Sequence, residues 1–174
     1  MAVAVLRELE NALGAGTVFA VGTWLIANPR LAARIRRGGH ELANHTLHHL
    51  PMAYMGEGEA YAEFSGCAVE LRRLTGSIGG HVRQSGTPHA NPGVLRAARR
   101  AGYATVIGYD VDSLDYTDPG AMAVVEHVRA GVRPGSIISM HLGHQDTIDA
   151  LPTVLADLRS RGLRPVSVST LLRP

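Results

Sequence analysis

Three imidazoles fall within five residues, at His45, His48 and His49, directly after the segment Gly38 to Asn44. Neutral imidazole is the commonest nitrogen ligand of divalent metals, so this cluster has the composition of a metal site at the end of a strand. His45 and His49 are four apart, which would put both on one face of a single helical turn; His48 is the odd one out, and spacing alone leaves either pairing open. The plain alternative is two surface histidines and one core histidine. Further along stand Arg83, the trio Asp110, Asp112 and Asp115, and the pair His141 and His144. An arginine most often ends in a surface ion pair, Asp115 could cap the turn before Asp118-Pro119, and Asp110 or Asp112 could bond loop amides. His141 closes an otherwise apolar run, where an imidazole needs a partner, so a carboxylate is expected beside it. A histidine held by an aspartate can serve as a general acid.

The elements that would carry these residues alternate along the chain. Val3, Leu6, Leu9 and Leu13 have helical spacing and stop at Gly14-Ala15-Gly16, so the chain opens on an amphipathic helix. Thr17 to Val21 is an apolar run between glycines, as expected of a strand buried on both faces. Asn28-Pro29 opens a helix that ends at Gly38-Gly39, and residues 40–45 read as a second strand. Residues 57–74 form a helix with Tyr61, Phe64, Ala68 and Leu71 on one stripe; 81–83 is a short strand; Asn91-Pro92 starts a helix ending at Gly102. Strands follow at 103–109, 135–140 and 165–168, with helices between them, one capped by Asp118-Pro119 and one over 147–161. Six strands and six helices in alternation predict βα units on a parallel sheet. No phosphate-cradling glycine fingerprint follows any strand, which favours a barrel over a doubly wound sheet. In a barrel the functional groups sit at the carboxyl ends of strands, where His45, Arg83, Asp115 and His141 all fall.

Composition narrows the partners. The 174 residues, 45% hydrophobic, suffice for one core, and no linker divides them, so a single domain over 1–174 is expected. A net charge of +2 with scattered basic residues excludes a nucleic-acid surface. The lone Cys67 excludes an internal disulfide and reads as a buried small hydrophobe. No apolar run reaches the ~20 residues of a membrane span, and the first ten residues lack the pattern of an export signal; localisation is left unassigned, since a signal could lie upstream of Met1.

In order and spacing these residues resemble the NodB-homology polysaccharide deacetylases, carbohydrate esterase family four. The likeness spans residues 2–172 and rests on Gly16 to Gly22, Gly39 to His49, Arg83, Asp110 to Tyr116, Gly135 to His141, and Ala150 to Leu172. It implies an α/β fold, the deformed (β/α) barrel. It also implies His45 and His49 as imidazole ligands of a divalent metal, usually zinc, with His48 a neighbour. Arg83 would orient the catalytic base, Asp115 would tune a general acid, and His141 would be that acid, protonating a departing sugar amine. The implied substrate is an acetylated polysaccharide, an oligosaccharide or a related amide, cleaved at a non-peptide C–N bond. Such hydrolysis needs a polarised carbonyl, a base for water and an acid for a poor leaving group.

The sequence departs from the family pattern at several places. Gln84-Ser85-Gly86 stands where the arginine is usually followed by Pro-Pro-Tyr, Tyr116 where tryptophan is common, Ser139 where leucine is frequent, and Leu142-Gly143-His144 where an aspartate usually follows the histidine. The Phe-Asp-Asp-Gly strand, source of the catalytic base and a third metal ligand, has no counterpart. The expectation is therefore a domain whose first strand is missing at the N-terminus. Three functions follow: most of a metal-dependent deacetylase, a non-catalytic relic that binds carbohydrate or a partner, or another barrel hydrolase acting on small C–N bonds.

Overall fold

The computed structural model describes residues 1–173. In chain order its elements are α1 (Ala2–Asn11), β1 (Thr17–Ala20), α2 (Gly22–Ala27), α3 (Pro29–Arg37), β2 (Glu41–Asn44), α4 (Glu57–Thr75), α5 (Pro92–Arg100), β3 (Val111–Asp112), α6 (Ala121–Gly131), β4 (Ile138–Ser139), α7 (Gln145–Ser160) and α8 (Val168–Leu171), with 3₁₀ turns at Met52–Tyr54 and Asp115–Thr117. The chain forms two compact units, one of residues 17–108 and one of residues 1–16 with 109–174.

In the unit of residues 17–108, β1 and β2 run parallel with Thr17 opposite Glu41 and Ala20 opposite Asn44. Single parallel bridges extend the pairing from Asn44 to Val82 and from Val82 to Val106. The apolar runs supply the core: Met52, Phe64, Val82, Val94 and Tyr103 are all buried together under α4 and α5. Because the strands are parallel, their carboxyl ends lie side by side, which brings the residues after Ala20, Asn44 and Val82 to one edge.

In the other unit β3 and β4 pair in parallel, Val111 with Ile138 and Asp112 with Ser139. Val124, Val125 and Val128 of α6 pack on Ala150, Val154 and Leu158 of α7, and Val5 of α1 meets Leu151 and Leu155 on another side of α7.

The parallel α/β pattern is present, but the strands are shorter than their apolar runs. Residues 81–83 and 103–109 contribute isolated bridges instead of a ladder, two at Val82 and one at Val106. Residues 165–168 form no strand; Ser167 accepts the Thr170 N–H through its side chain and so caps α8, the local hydrogen bond that competes with extended pairing. Residues 22–27 add a helix that their sequence did not announce. The helix expected from Asp118-Pro119 starts later, at Ala121, with Gly120 as its N-cap and the Gly120 N–H bonded to Asp146 Oδ2 at 2.6 Å. Asp118 itself takes a left-handed backbone, φ 50°.

Candidate active site

Residues 45–49 do not make the helical turn that their spacing suggested. They form a tight bend in which Thr46 and His49 both have positive φ, 70° and 59°, a region that costs a residue with a Cβ roughly 1–3 kcal/mol. Hydrogen bonds to several of its backbone groups hold the bend. Gly22 and Thr23, at the start of α2, donate to the Thr46 and Leu47 carbonyls at 2.9 Å each. The Thr46 N–H donates to Asn44 Oδ1, the His49 N–H to Thr46 Oγ1, and the His48 N–H to Glu63 Oε2. Leu47 is the mechanical anchor: a Cβ on Gly22 would come within 2.7 Å of it and one on Gly66 within 2.6 Å, so two glycines make the slot that receives it.

Beneath the bend lies a saturated amide. Asn44, fully buried at the end of β2, donates through Nδ2 to the Phe64 carbonyl and to the Tyr103 hydroxyl, both at 2.8 Å, and Tyr103 passes its own proton to the Ile78 carbonyl. Burial pushes the Tyr103 hydroxyl up to about 12, partly opposed by the Asn44 bond, so the phenol stays a neutral strut. Cys67 is buried as expected, and burial pushes its thiol up to about 12.

The rings of His45 and His49 meet edge to face with centroids 4.8 Å apart. His45 Nδ1 lies 3.0 Å from the Arg83 carbonyl; a carbonyl only accepts, so Nδ1 carries the hydrogen and the neutral ring keeps its lone pair on Nε2, the form a metal takes. His48 is committed elsewhere, with Nδ1 2.7 Å from Glu63 Oε1. Glu63, a carboxylate on the buried stripe of α4 beside Phe64 and Cys67, was passed over in the sequence; its place one residue before Phe64 on that stripe is the signal that could have found it. Tyr61, read as part of the stripe, is only half-buried.

Arg83 turns its guanidinium onto backbone carbonyls of its own unit. Its Nε donates to the Ile107 carbonyl at 3.1 Å and Nη2 to the Gly108 carbonyl at 3.0 Å, while its guanidinium lies 4.4 Å over the Phe19 ring. It clamps the end of the segment that carries the Val106 bridge.

In the other unit, the carboxyl ends of β3 and β4 bring Asp115 and His141 together. Asp115 is fully buried. Its Oδ1 lies 2.7 Å from His141 Nδ1, and its Oδ2 accepts the His141 N–H at 2.7 Å and the Thr147 hydroxyl at 2.5 Å. Burial pushes the Asp115 carboxyl up, but the bonds from the His141 ring, Thr147 and the His141 amide outweigh it and hold the group below the ordinary carboxylate value. The histidine is not the buried partner: its side chain is 41% exposed, and the Tyr116 ring stands edge to face with it at 5.3 Å. Asp112 and Asp110 bond loop amides as anticipated, to Leu114 and Ile137. His144 pairs with Asp118 at 2.9 Å. Thr147, which sequence reasoning missed, opens the apolar stripe of α7 as its one polar member.

Whether these donors fit a metal can be judged within each unit. The His45 and His49 rings lie together, but among the described residues no group of three His, Cys, Asp or Glu side chains could hold a metal ion. A closed zinc site needs three protein ligands or more, so the described set falls short of one. No helix among the described residues is long and apolar enough to cross a membrane.

The comparisons with known proteins place the chain in a family. The polysaccharide deacetylase family model matches residues 2–106, and a peptidoglycan-N-acetylglucosamine deacetylase of Bacillus cereus is 31% identical, the match covering 97% of this chain and 80% of that one. The chain therefore belongs to the polysaccharide deacetylase family. A chitooligosaccharide deacetylase of Sinorhizobium fredii is 30% identical over 84% of this chain and 74% of its own length. Among solved structures, a family 4 carbohydrate esterase from Streptomyces lividans in complex with acetate superposes with a TM-score of 0.86 at 24% identity, covering 94% of this chain and 84% of that one. A family 4 pseudoenzyme from Bacillus anthracis superposes at 0.91 and 22% identity, covering 99% of this chain and 60% of that one. The fold is thus that of carbohydrate esterase family four, the deformed barrel expected from the sequence, and the fold is shared by enzymes and by a pseudoenzyme.

Proposed function

We propose that residues 1–174 work as one deacetylase-type domain that hydrolyses the acetamide of an N-acetylated sugar in a polysaccharide or oligosaccharide. The observation that carries this reading is His141 held through both its ring and its amide by the buried Asp115. With Nδ1 committed to the carboxylate, Nε2 is the nitrogen left to give a proton to the departing amine as the C–N bond breaks, while water adds its oxygen to the acetyl carbon and acetate leaves. Asp115, fixed by Thr147, holds the His141 ring in place through Nδ1. His45 and His49 offer two imidazoles toward a divalent metal, zinc by preference, which when bound would polarise the acetyl carbonyl. Arg83, expected to orient a catalytic base, would act here as a positioning residue through the Ile107 and Gly108 carbonyls and its own carbonyl on His45.

Acetate release from a β-linked N-acetylglucosamine oligomer, with and without added zinc, tests the reading. Turnover that is lost in His141→Ala supports it. The short donor set favours a second reading, a domain that binds acetylated sugar without cleaving it, and oligomer binding with no acetate released would select that one.

A further inference from the structure

The chain's aromatic side chains are nearly all engaged. Phe64 and Tyr103 are buried, Tyr61 lies under the Arg100 guanidinium, Phe19 under Arg83, and Tyr116 stands against His141. Tyr54 is the most exposed aromatic among the described residues, at 95%, with Leu50 four residues before it at 46%.

An exposed tyrosine on a loose loop would mean little, but this one stands on a fixed support. Met52 plugs the core with no exposure, and its N–H reaches the Ser85 carbonyl. The Ser85 hydroxyl donates to the Leu50 carbonyl at 2.5 Å, Asn91 Nδ2 donates to the Ala53 carbonyl at 3.2 Å, and the Met55 N–H closes the turn on the Met52 carbonyl. The same Ser85 hydroxyl is 3.5 Å from Thr46 Oγ1, which in turn holds the His49 amide. One buried serine thus ties the tyrosine's support to the histidine bend. Five residues of chain cannot separate Tyr54 from His49 by more than about 18 Å, within the length of a short oligosaccharide.

We propose that Tyr54 is a sugar-stacking platform, a subsite for a pyranose of the polymer beyond the unit being hydrolysed. The face of a phenol ring is flat and apolar with a negative quadrupole, and it suits the C–H face of a pyranose; a ring carried on a held backbone loses less entropy on binding than one on a loose loop. The inference rests on the deacetylase reading for its ligand class and adds a length preference.

Isothermal titration of the wild type, Tyr54→Ala and Tyr54→Phe with a β-linked N-acetylglucosamine pentamer tests it, alongside the monosaccharide followed by NMR shifts of the His45 and His49 rings. The Ala variant is expected to weaken pentamer binding about five- to tenfold, the Phe variant to match the wild type, and the monosaccharide to bind all three alike. Equal pentamer affinity in wild type and Tyr54→Ala would overturn the platform and leave the functional reading standing. Loss of affinity in Tyr54→Phe as well would replace stacking with a hydroxyl contact. Absence of pentamer binding by the wild type would remove the ligand class itself and the platform with it.

Discussion

The two histidine arrangements differ in what faces Nδ1. In the unit of residues 17–108 the His45 ring faces a backbone carbonyl; in the other unit the His141 ring faces a buried carboxylate. Both partners only accept, so both rings carry hydrogen on Nδ1, yet the consequences diverge. A neutral carbonyl fixes a tautomer and leaves a lone pair to share, which is the property of a ligand. A carboxylate also stabilises the doubly protonated ring, which is the property of an acid. The proposed ligand and the proposed acid thus differ by one atom of their surroundings, and replacing that atom tests the proposal.

The largest effect is expected at the acid. His141→Ala should lower acetate release by roughly 10²–10⁴-fold, the range of a lost general acid, with little change in oligomer affinity measured by titration. Asp115→Asn attacks the distinction itself. An amide NH₂ placed among three donors leaves at least one of them unpaired, and denaturant unfolding should show a loss of roughly 2–3 kcal/mol.

The pH dependence follows from the lowered Asp115 value. Its folded carboxyl sits below the ordinary ~3.9 of an unfolded aspartate, so the folded state binds that proton less readily. Its contribution to stability is complete above the unfolded value and is lost as pH falls through the folded one. Wild-type stability should therefore drop between about pH 5 and the folded value, and Asp115→Asn should show a shallower fall over the same range.

On the ligand side, Gly22→Ala should cost about 1–3 kcal/mol by driving a methyl into Leu47, and the His45 and His49 ring resonances should shift while those of His141 stay in place. The smallest change is expected for His48→Ala, about 1 kcal/mol from a lost bond to Glu63, with acetate release unaltered. A large loss of activity there would mean that His48, and not its neighbours, belongs to the reactive set.

Much of this was legible in the residues. The alternation of apolar runs and helical stripes announced a parallel α/β chain, and the polar residues at strand ends were found where the rule for such folds puts them. The apolar runs overstated strand length, because a run records burial while a ladder also needs a partner in register; Val82 is fully buried yet makes only two isolated bridges. The four-residue spacing of His45 and His49 suggested a shared helical face; a bend with two left-handed residues brings those rings edge to face instead. Glu63 and Thr147 were hidden because each sits on a helical stripe whose other members are apolar, and a single polar residue there reads as noise until its partner is seen.

Leu47, seated between Gly22 of α2 and Gly66 of α4, carries a consequence for the order of assembly. Its slot exists only once both helices have docked, so the two left-handed residues around it have nothing to hold them earlier. The bend should accordingly form with the last packing of its unit and open only when that packing fails. In hydrogen exchange, the His49 and Thr46 amides, though they lie in a connecting segment, should then exchange as slowly as the amides of α4.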